Sequence, residues 1–240
     1  MNDELVCIPS GILQANTWIV PLAGSAVLVV DPAACEYAHD AGRITAWLSE
    51  HGRVPVGIFL THGHFDHIAG TAVLKRAFPS CRIAVHGADS RMAGAEAAEV
   101  QGTMLEWMGI PAARRMLRSL PDADVLFSGG ETLDSVFPAA EAPSLAADAE
   151  EIAAALSRWR VLHTPGHTPG SVCLYSGERN QLISGDTVFY RTHGRTDLEG
   201  GSESEMARSL SYLRKTLPQD AAVYPGHDAY GFPLSKTLPA

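Results

Sequence analysis

The chain has 240 residues, 46% of them apolar and 19% charged, a globular composition that excludes disordered and fibrous classes. Eighteen Lys and Arg against 27 Asp and Glu leave a formal net charge of −9, which argues against a surface built for nucleic acid. The longest apolar stretch, 18–30, is 13 residues broken by Pro21, Gly24 and Ser25, too short to span a bilayer.

The first 30 residues read as three short strands, 5–9, 13–20 and 26–30, rich in Val and Ile and separated by Ser10-Gly11 and by 21–25. Ile44, Trp47 and Leu48 share one face of a helix expected over 37–51. The nearly all-apolar run 54–60 is what a strand covered on both faces requires. A helix over 68–77 and a strand over 82–86 complete an α/β half. Residues 88–147 break the pattern: helices are expected as far as Leu120, then an irregular Pro- and Ala-rich stretch. Composition favours helix over 150–160. Strands follow at 161–162, 171–175 and 181–184. A helix over 202–217 opens on a capping box, Ser202 with Glu205 three residues on, and a strand over 221–224 closes the series.

The chemistry is concentrated at strand ends. The run 54–60 leads into Thr61-His62-Gly63-His64-Phe65-Asp66-His67, four potential metal ligands within six residues. Open α/β sheets place ligands past the carboxyl ends of their strands. Gly63 lets the backbone curl so that His62 and His64 converge. Imidazoles suit zinc or iron, and a carboxylate hardens the set. Downstream, 163–170 carries His163 and His167 in a Pro- and Gly-rich loop, Asp186 follows the strand 181–184, and His227 follows 221–224 through Pro225-Gly226. Strands of one sheet would deliver these side chains to one edge.

Together, H-x-H-x-D-H, P-G-H-T, G-D and P-G-H, in that order between residues 62 and 227, resemble the metallo-β-lactamase superfamily. The resemblance covers nearly the whole chain. It implies an α/β fold, a four-layer αββα sandwich (the metallo-β-lactamase fold) filling residues 1–240 as one domain, with a mainly helical insertion at about 88–147. It also implies strands over 150–160, against the local helix propensity. Carried over by residue, His62, His64 and His167 hold one divalent ion, Asp66, His67 and His227 a second, and Asp186 bridges both. The expected cofactor is two zinc ions per chain, with iron or manganese as other metals of the family. His163 and His86 are left as structural residues.

The implied chemistry is hydrolysis. A metal-activated hydroxide attacks a carbonyl, one ion polarises the oxygen, and a thiolate, with a pKa near 8.5, leaves without much acid assistance. Asp66 orients the nucleophile. True β-lactamases usually lack a histidine matching His67. The G-R-T-D-L at 194–198 and G-G-S at 200–202 are instead similar to the glyoxalase II-like branch, which cleaves thioesters such as S-lactoylglutathione. Two departures touch the glutathione assignment. Arg195 and Asp197 stand where that branch has Lys and an aromatic residue, and its helical C-terminal domain has no counterpart in the 13 residues after His227. Arg191, His193 and Arg195 are candidates to hold an anionic group of the substrate, or else surface ion-pair residues.

A second expectation, a persulfide dioxygenase with one iron on residues matching His62, His167 and Asp186, rests on similar stretches at 194–197 and 227–231. A non-catalytic metal-binding scaffold is a third, and the superfamily's nucleases a remote fourth. The insertion, through Trp107, Met108 and Met116, is expected to cap the metal edge and grip the substrate's apolar part, or else to pack on a distant face or form a homodimer contact. The expected partner is a small-molecule substrate, with no nucleic acid and no membrane. The acidic start Met1-Asn2-Asp3-Glu4, unlike a signal peptide, and four cysteines without a C-x-x-C pair fit a reducing cytoplasm and buried free thiols.

Overall fold

Side chains alternate across the strands and so divide between separate cores. In β3 (Ala26–Val30), Val27 and Val29 enter one core while Ala26, Leu28 and Val30 enter another. In β8 (Val172–Ser176), Val172 and Leu174 join the second core, and Cys173 a third. The computed structural model describes residues 4–138 and 143–237.

Strands β1 (Val6–Ser10), β2 (Ala15–Pro21), β3, β4 (Val54–Phe59), β5 (Arg82–His86) and β6 (Val125–Phe127) lie side by side in that order. The pairs β1–β2 and β2–β3 are antiparallel, and the remainder are parallel. The second sheet contains β7 (Trp159–His163), β8 and β9 (Gln181–Gly185). A separate ribbon, β10 (Val188–Phe189) with β11 (Thr192–His193), follows β9. Then β12 (Ala222–Pro225) and β13 (Phe232–Pro233) complete the second sheet in the order β13-β12-β9-β8-β7, with β9 and β12 parallel.

Trp18, Leu28 and Phe59 of the first sheet share the middle core with Trp159, Val161 and Leu174 of the second. Helices α1 (Arg43–Glu50), α2 (Phe65–Ile68) and α3 (Thr71–Ala77) cover the first sheet, with Ile44, Leu48 and Leu74 against Val27, Val29 and Ile58. On the far side, the helix over Glu203–Thr216 covers the second sheet. The result is the αββα sandwich that the motifs imply. Each large apolar side chain so buried contributes about 1.5–3 kcal/mol.

Between the halves, α4 (Ala97–Val100), α5 (Gly102–Trp107) and α6 (Arg114–Leu117) are the short helices expected before Leu120. Leu105 and Leu117 of this segment add to the first outer core. The stretch expected to be irregular holds β6 and α7 (Leu133–Val136); three residues of strand are too few to show alternation in a sequence. Residues 139–142 lie outside the described residues.

Three expectations are corrected here. Most of 150–160 is not strand: α8 (Ala149–Ser157) runs first, and β7 starts only at Trp159. Its sequence is dominated by Ala, Glu and Leu, strong helix formers, and Ile152 and Leu156, four apart, bury together in the middle core. The helix expected over 68–77 is split at Ala69-Gly70, and the one over 37–51 starts only at Arg43.

Helix α9 (Glu203–Thr216) opens as expected, the Ser202 hydroxyl accepting a hydrogen bond from the Glu205 N–H at 3.3 Å. Met206, Leu210 and Leu213 pack on Leu162, Cys173 and Leu182. All four cysteines are free; Cys35, Cys81 and Cys173 are buried and Cys7 is half-buried. Burial pushes the Cys81 thiol up to about 12 and those of Cys7 and Cys173 to about 11. Among the described residues no helix is long and apolar enough to cross a membrane.

Candidate metal centre

The loop after β4 presents His62 and His64, and the single turn of α2 then turns Asp66 and His67 to the same side. His167 comes from the β7–β8 loop, Asp186 from the end of β9 and His227 from the end of β12. Ring nitrogens of His62, His64 and His167 lie within 4.8 Å of one another, as do donor atoms of Asp66, His67 and His227. Between the two groups stands Asp186. Its Oδ1 is 3.4 Å from His67 Nε2, and its Oδ2 is 3.5 Å from His167 Nε2 and 3.6 Å from His227 Nε2. All seven residues that the motifs single out therefore converge.

His163 stands apart. It is exposed, its Nε2 donates to the Pro169 carbonyl at 2.9 Å, and its ring stacks on His86 at 4.3 Å. His163→Ala is expected to leave metal content near wild type while His167→Ala lowers it. Elemental analysis of the two purified variants checks this, and metal loss in His163→Ala alone would reverse the assignment.

Several residues that hold the centre carry no motif and escape sequence reasoning. Asp31, at the end of β3, accepts from the Thr61 N–H at 2.7 Å, from the Thr61 hydroxyl at 2.6 Å and from His67 Nδ1 at 3.0 Å. Asp89, just past β5, is fully buried and accepts from the Gly63 and Gly170 N–H groups and from the Thr168 hydroxyl. It thus ties the His62–His67 loop to the His167 loop. Gln101 pins the first loop from the insertion, accepting from the Phe65 N–H and donating to the Gly63 carbonyl, both at 2.8 Å. Across the sandwich, Asn16 and Trp18 donate to the Pro225 carbonyl and so fix the loop that carries His227. The signal for Asp31 and Asp89 was the same strand-end rule that found His62.

Gly63 does not have the positive φ that a curl would call for; what it supplies is space, since a Cβ there would stand 3.2 Å from the Asp89 carbonyl oxygen and press on Met92. At Gly226 a Cβ would collide with the Asp186 carboxylate and the His67 ring.

The protonation pattern fits a pair of cations. The Thr61 hydroxyl gives its proton to Asp31, so it must accept from His62 Nδ1 at 3.1 Å. His62 Nε2 is then a bare lone pair, buried and without a hydrogen-bond partner among the described residues. His67 Nδ1 donates to Asp31, and His167 Nδ1 donates to the Arg195 carbonyl at 2.8 Å, so both Nε2 atoms face the cluster. Burial holds the His62 pKa well below the usual imidazole value and that of His64 down to about 3, leaving both neutral. Burial would also lower His67, but the Asp186 and Asp66 carboxylates outweigh it and raise it well above the ordinary value. Burial opposes ionisation of Asp186 too, yet His67 keeps its carboxyl well below the carboxylate range. The neutral His62 and His64 beside the ionised, buried Asp66 and Asp186 form a donor set for divalent cations, and a cation held at the second group would displace the proton from His67.

A cavity of 360 Å³ opens on this centre, with His64, Asp66, His167, Asp186 and His227 on its wall. Met104 and Met108 of the insertion line the same wall, whereas Met116 packs against the first outer core. Trp107 is 69% exposed and lies over the Arg195 guanidinium at 5.4 Å. Of the three candidate anion-holding residues, Arg195 is on the wall; Arg191 sits over the Tyr190 ring and His193 belongs to the β10–β11 ribbon, both outside the cavity's lining.

Comparison with known proteins agrees with this geometry. The "Probable metallo-hydrolase YqgX" of Bacillus subtilis is 29% identical over 222 residues, 92% of this chain and 88% of that protein. The "Hydroxyacylglutathione hydrolase" of Ectopseudomonas mendocina is 30% identical over 83% of this chain and 56% of its own length. The human mitochondrial "Persulfide dioxygenase ETHE1" is 26% identical over 73% of this chain and 50% of its length. Among solved structures, the BLEG-1 B3 metallo-beta-lactamase superposes with a TM-score of 0.74 at 25% identity, covering 97% of this chain and 95% of that one. TTHA1623 in a di-iron-bound form superposes with a TM-score of 0.69, also at 25% identity, covering 95% of this chain and 94% of that one. The family description that matches residues 10–227 is the metallo-beta-lactamase superfamily, and to that superfamily of metal-dependent hydrolases the chain belongs.

Proposed function

We propose that this chain is a dinuclear metallo-hydrolase that cleaves a thioester or ester carbonyl, in the manner of the glyoxalase II-like branch. The observation that carries this reading is the position of Asp186, whose two carboxylate oxygens reach donors of both groups. His62, His64 and His167 would hold one ion, Asp66, His67 and His227 the other, and Asp186 both. Zinc suits this imidazole-rich set, and iron or manganese is compatible with its three-imidazole and carboxylate halves.

Bound there, such ions polarise a carbonyl oxygen and bring the pKa of a coordinated water close to neutrality. The chain's own residues do the rest. The ionised Asp66 carboxylate, with Oδ2 3.2 Å from His227 Nε2, accepts a hydrogen bond from the attacking water and fixes its direction. Asp31, Thr61 and the Arg195 carbonyl lock the rings of His67, His62 and His167, so that no reorientation is needed during reaction. Phe65, buried on the cavity wall, sets an apolar ring beside the centre.

The test is hydrolysis by gel-filtered, zinc-loaded protein over panels of thioesters, lactones and phosphoesters. The expected result is chelator-sensitive thioester cleavage exceeding that of the phosphoesters. Oxygen uptake on a persulfide by an iron-loaded preparation, with no thioester cleavage, would reverse the choice in favour of a dioxygenase. No turnover on any panel by protein of full metal content would favour a non-catalytic scaffold.

A further inference from the structure

The wall of the metal cavity has a marked chemical bias. Beside the donor groups it is built from Leu13, Phe65, Met104, Met108, Phe189 and Leu198. Among the described residues Arg195 is the sole Lys or Arg on that wall, and its charge is already matched: Nε and Nη2 each lie 2.8 Å from the Asp197 carboxylate. The remaining charge around the mouth is acidic. Asp228 stands on the wall, and Asp197 and Glu199 line an adjoining hollow of 260 Å³ that shares Met104, Arg195 and Leu198 with the main cavity. On the other flank, Arg91 pairs with Glu96.

An anionic carrier such as a glutathione or a nucleotide needs unpaired cations, preferably arginines free to bind two oxygens at once. None lines these hollows among the described residues. An uncharged acyl chain, by contrast, gains by leaving water for a wall of methionine, leucine and phenylalanine. The volume of 360 Å³ lies within the size range of small-molecule sites.

We infer that the cavity selects a substrate with an apolar, uncharged acyl chain on an uncharged carrier, the chain lying against Met104 and Met108. This rests on the hydrolase reading above. Water supplies the oxygen of the new C–O bond, the acyl C–S bond breaks, and the products are the carboxylic acid and the free thiol. Met104 and Met108 are then specificity residues: they touch the chain beyond the reacting carbonyl and set which acyl group is accepted.

Two measurements separate this inference from the hydrolase reading. The first uses thioethers, which are not hydrolysed: S-methyl- and S-hexyl-N-acetylcysteamine, and S-hexylglutathione, titrated calorimetrically into zinc-loaded protein. The hexyl thioether should bind at least about tenfold tighter than the methyl one, and tighter than S-hexylglutathione. The second measures kcat/KM for acetyl, butanoyl and hexanoyl thioesters of N-acetylcysteamine, with the same rise expected, chiefly through KM. In a Met104→Ser, Met108→Ser variant of unchanged metal content, the hexyl-to-methyl binding ratio should fall by roughly tenfold. Met104 and Met108 are only partly buried, so the substitutions are compatible with folding. Equal binding of the two alkyl lengths, or tighter binding of S-hexylglutathione, overturns the inference even if thioesters are cleaved. Preferential hexyl binding without any turnover upholds the pocket and overturns the hydrolase reading alone.

Discussion

Asp186→Ala is expected to lower the metal content of both positions and to cut hydrolysis by at least about a thousandfold, since metal ions supply several kcal/mol of transition-state stabilisation. The prediction follows from geometry. Of the two carboxylates among the seven converging side chains, Asp186 alone lies within 3.6 Å of nitrogens from both histidine groups. Its ionised, buried carboxylate also offsets the charge at His67. Asp186→Asn, which keeps the volume and removes the charge, should act in the same direction and thereby separate electrostatics from packing. Elemental analysis and initial rates on folded variants check both. A variant that still binds two metals with wild-type affinity would show that the carboxylate does not bridge.

Asp89→Ala is expected to be the most destabilising change outside the donor set. The carboxylate is fully buried and receives three hydrogen bonds of 2.9, 2.7 and 2.6 Å, from Gly63, Gly170 and Thr168. Removing it orphans two backbone N–H groups, each costing roughly 1–3 kcal/mol, and leaves the Thr168 hydroxyl with Ser171 alone. A loss of at least about 3 kcal/mol lowers Tm by roughly 6–12 °C in a chain of this size. Because the two loops it joins carry His62, His64 and His167, metal affinity should fall about 10–100-fold as well. Calorimetry on the metal-loaded and chelated protein reads both effects. A Tm within about 2 °C of wild type would remove Asp89 from this role.

The donor residues were legible because each follows a strand directly, and strand ends on one edge of a sandwich converge whatever the loops do. Only His167 departs from this rule, reaching the centre from a loop between antiparallel strands, and there the P-G-H-T motif marks it. Asp31 and Asp89 obey the same rule but stand alone, and a single aspartate after a strand has no spacing to distinguish it from a turn residue. Their role arises from contacts 26–81 residues away in sequence, which no local pattern encodes. At α8 the opposite occurred: Ala, Glu and Leu propensity was the correct signal, and the strands expected from the resemblance yielded to Ile152 and Leu156 burying as a helical pair. Met108 lines the cavity as expected of the insertion, whereas Met104 carried no signal of its own and Met116 packs against the first outer core instead. Helix α5 reaches the cavity because Gln101 ties its start to the Gly63 carbonyl and the Phe65 N–H.

The central claim is a two-metal centre built from seven side chains. Inductively coupled plasma mass spectrometry on protein stripped with chelator, reconstituted with excess zinc and freed of loose metal by gel filtration tests it directly. Two zinc ions per chain are expected, falling to about one or fewer in Asp186→Ala. A ratio that stays at one in the wild-type protein, despite excess zinc, would contradict the account.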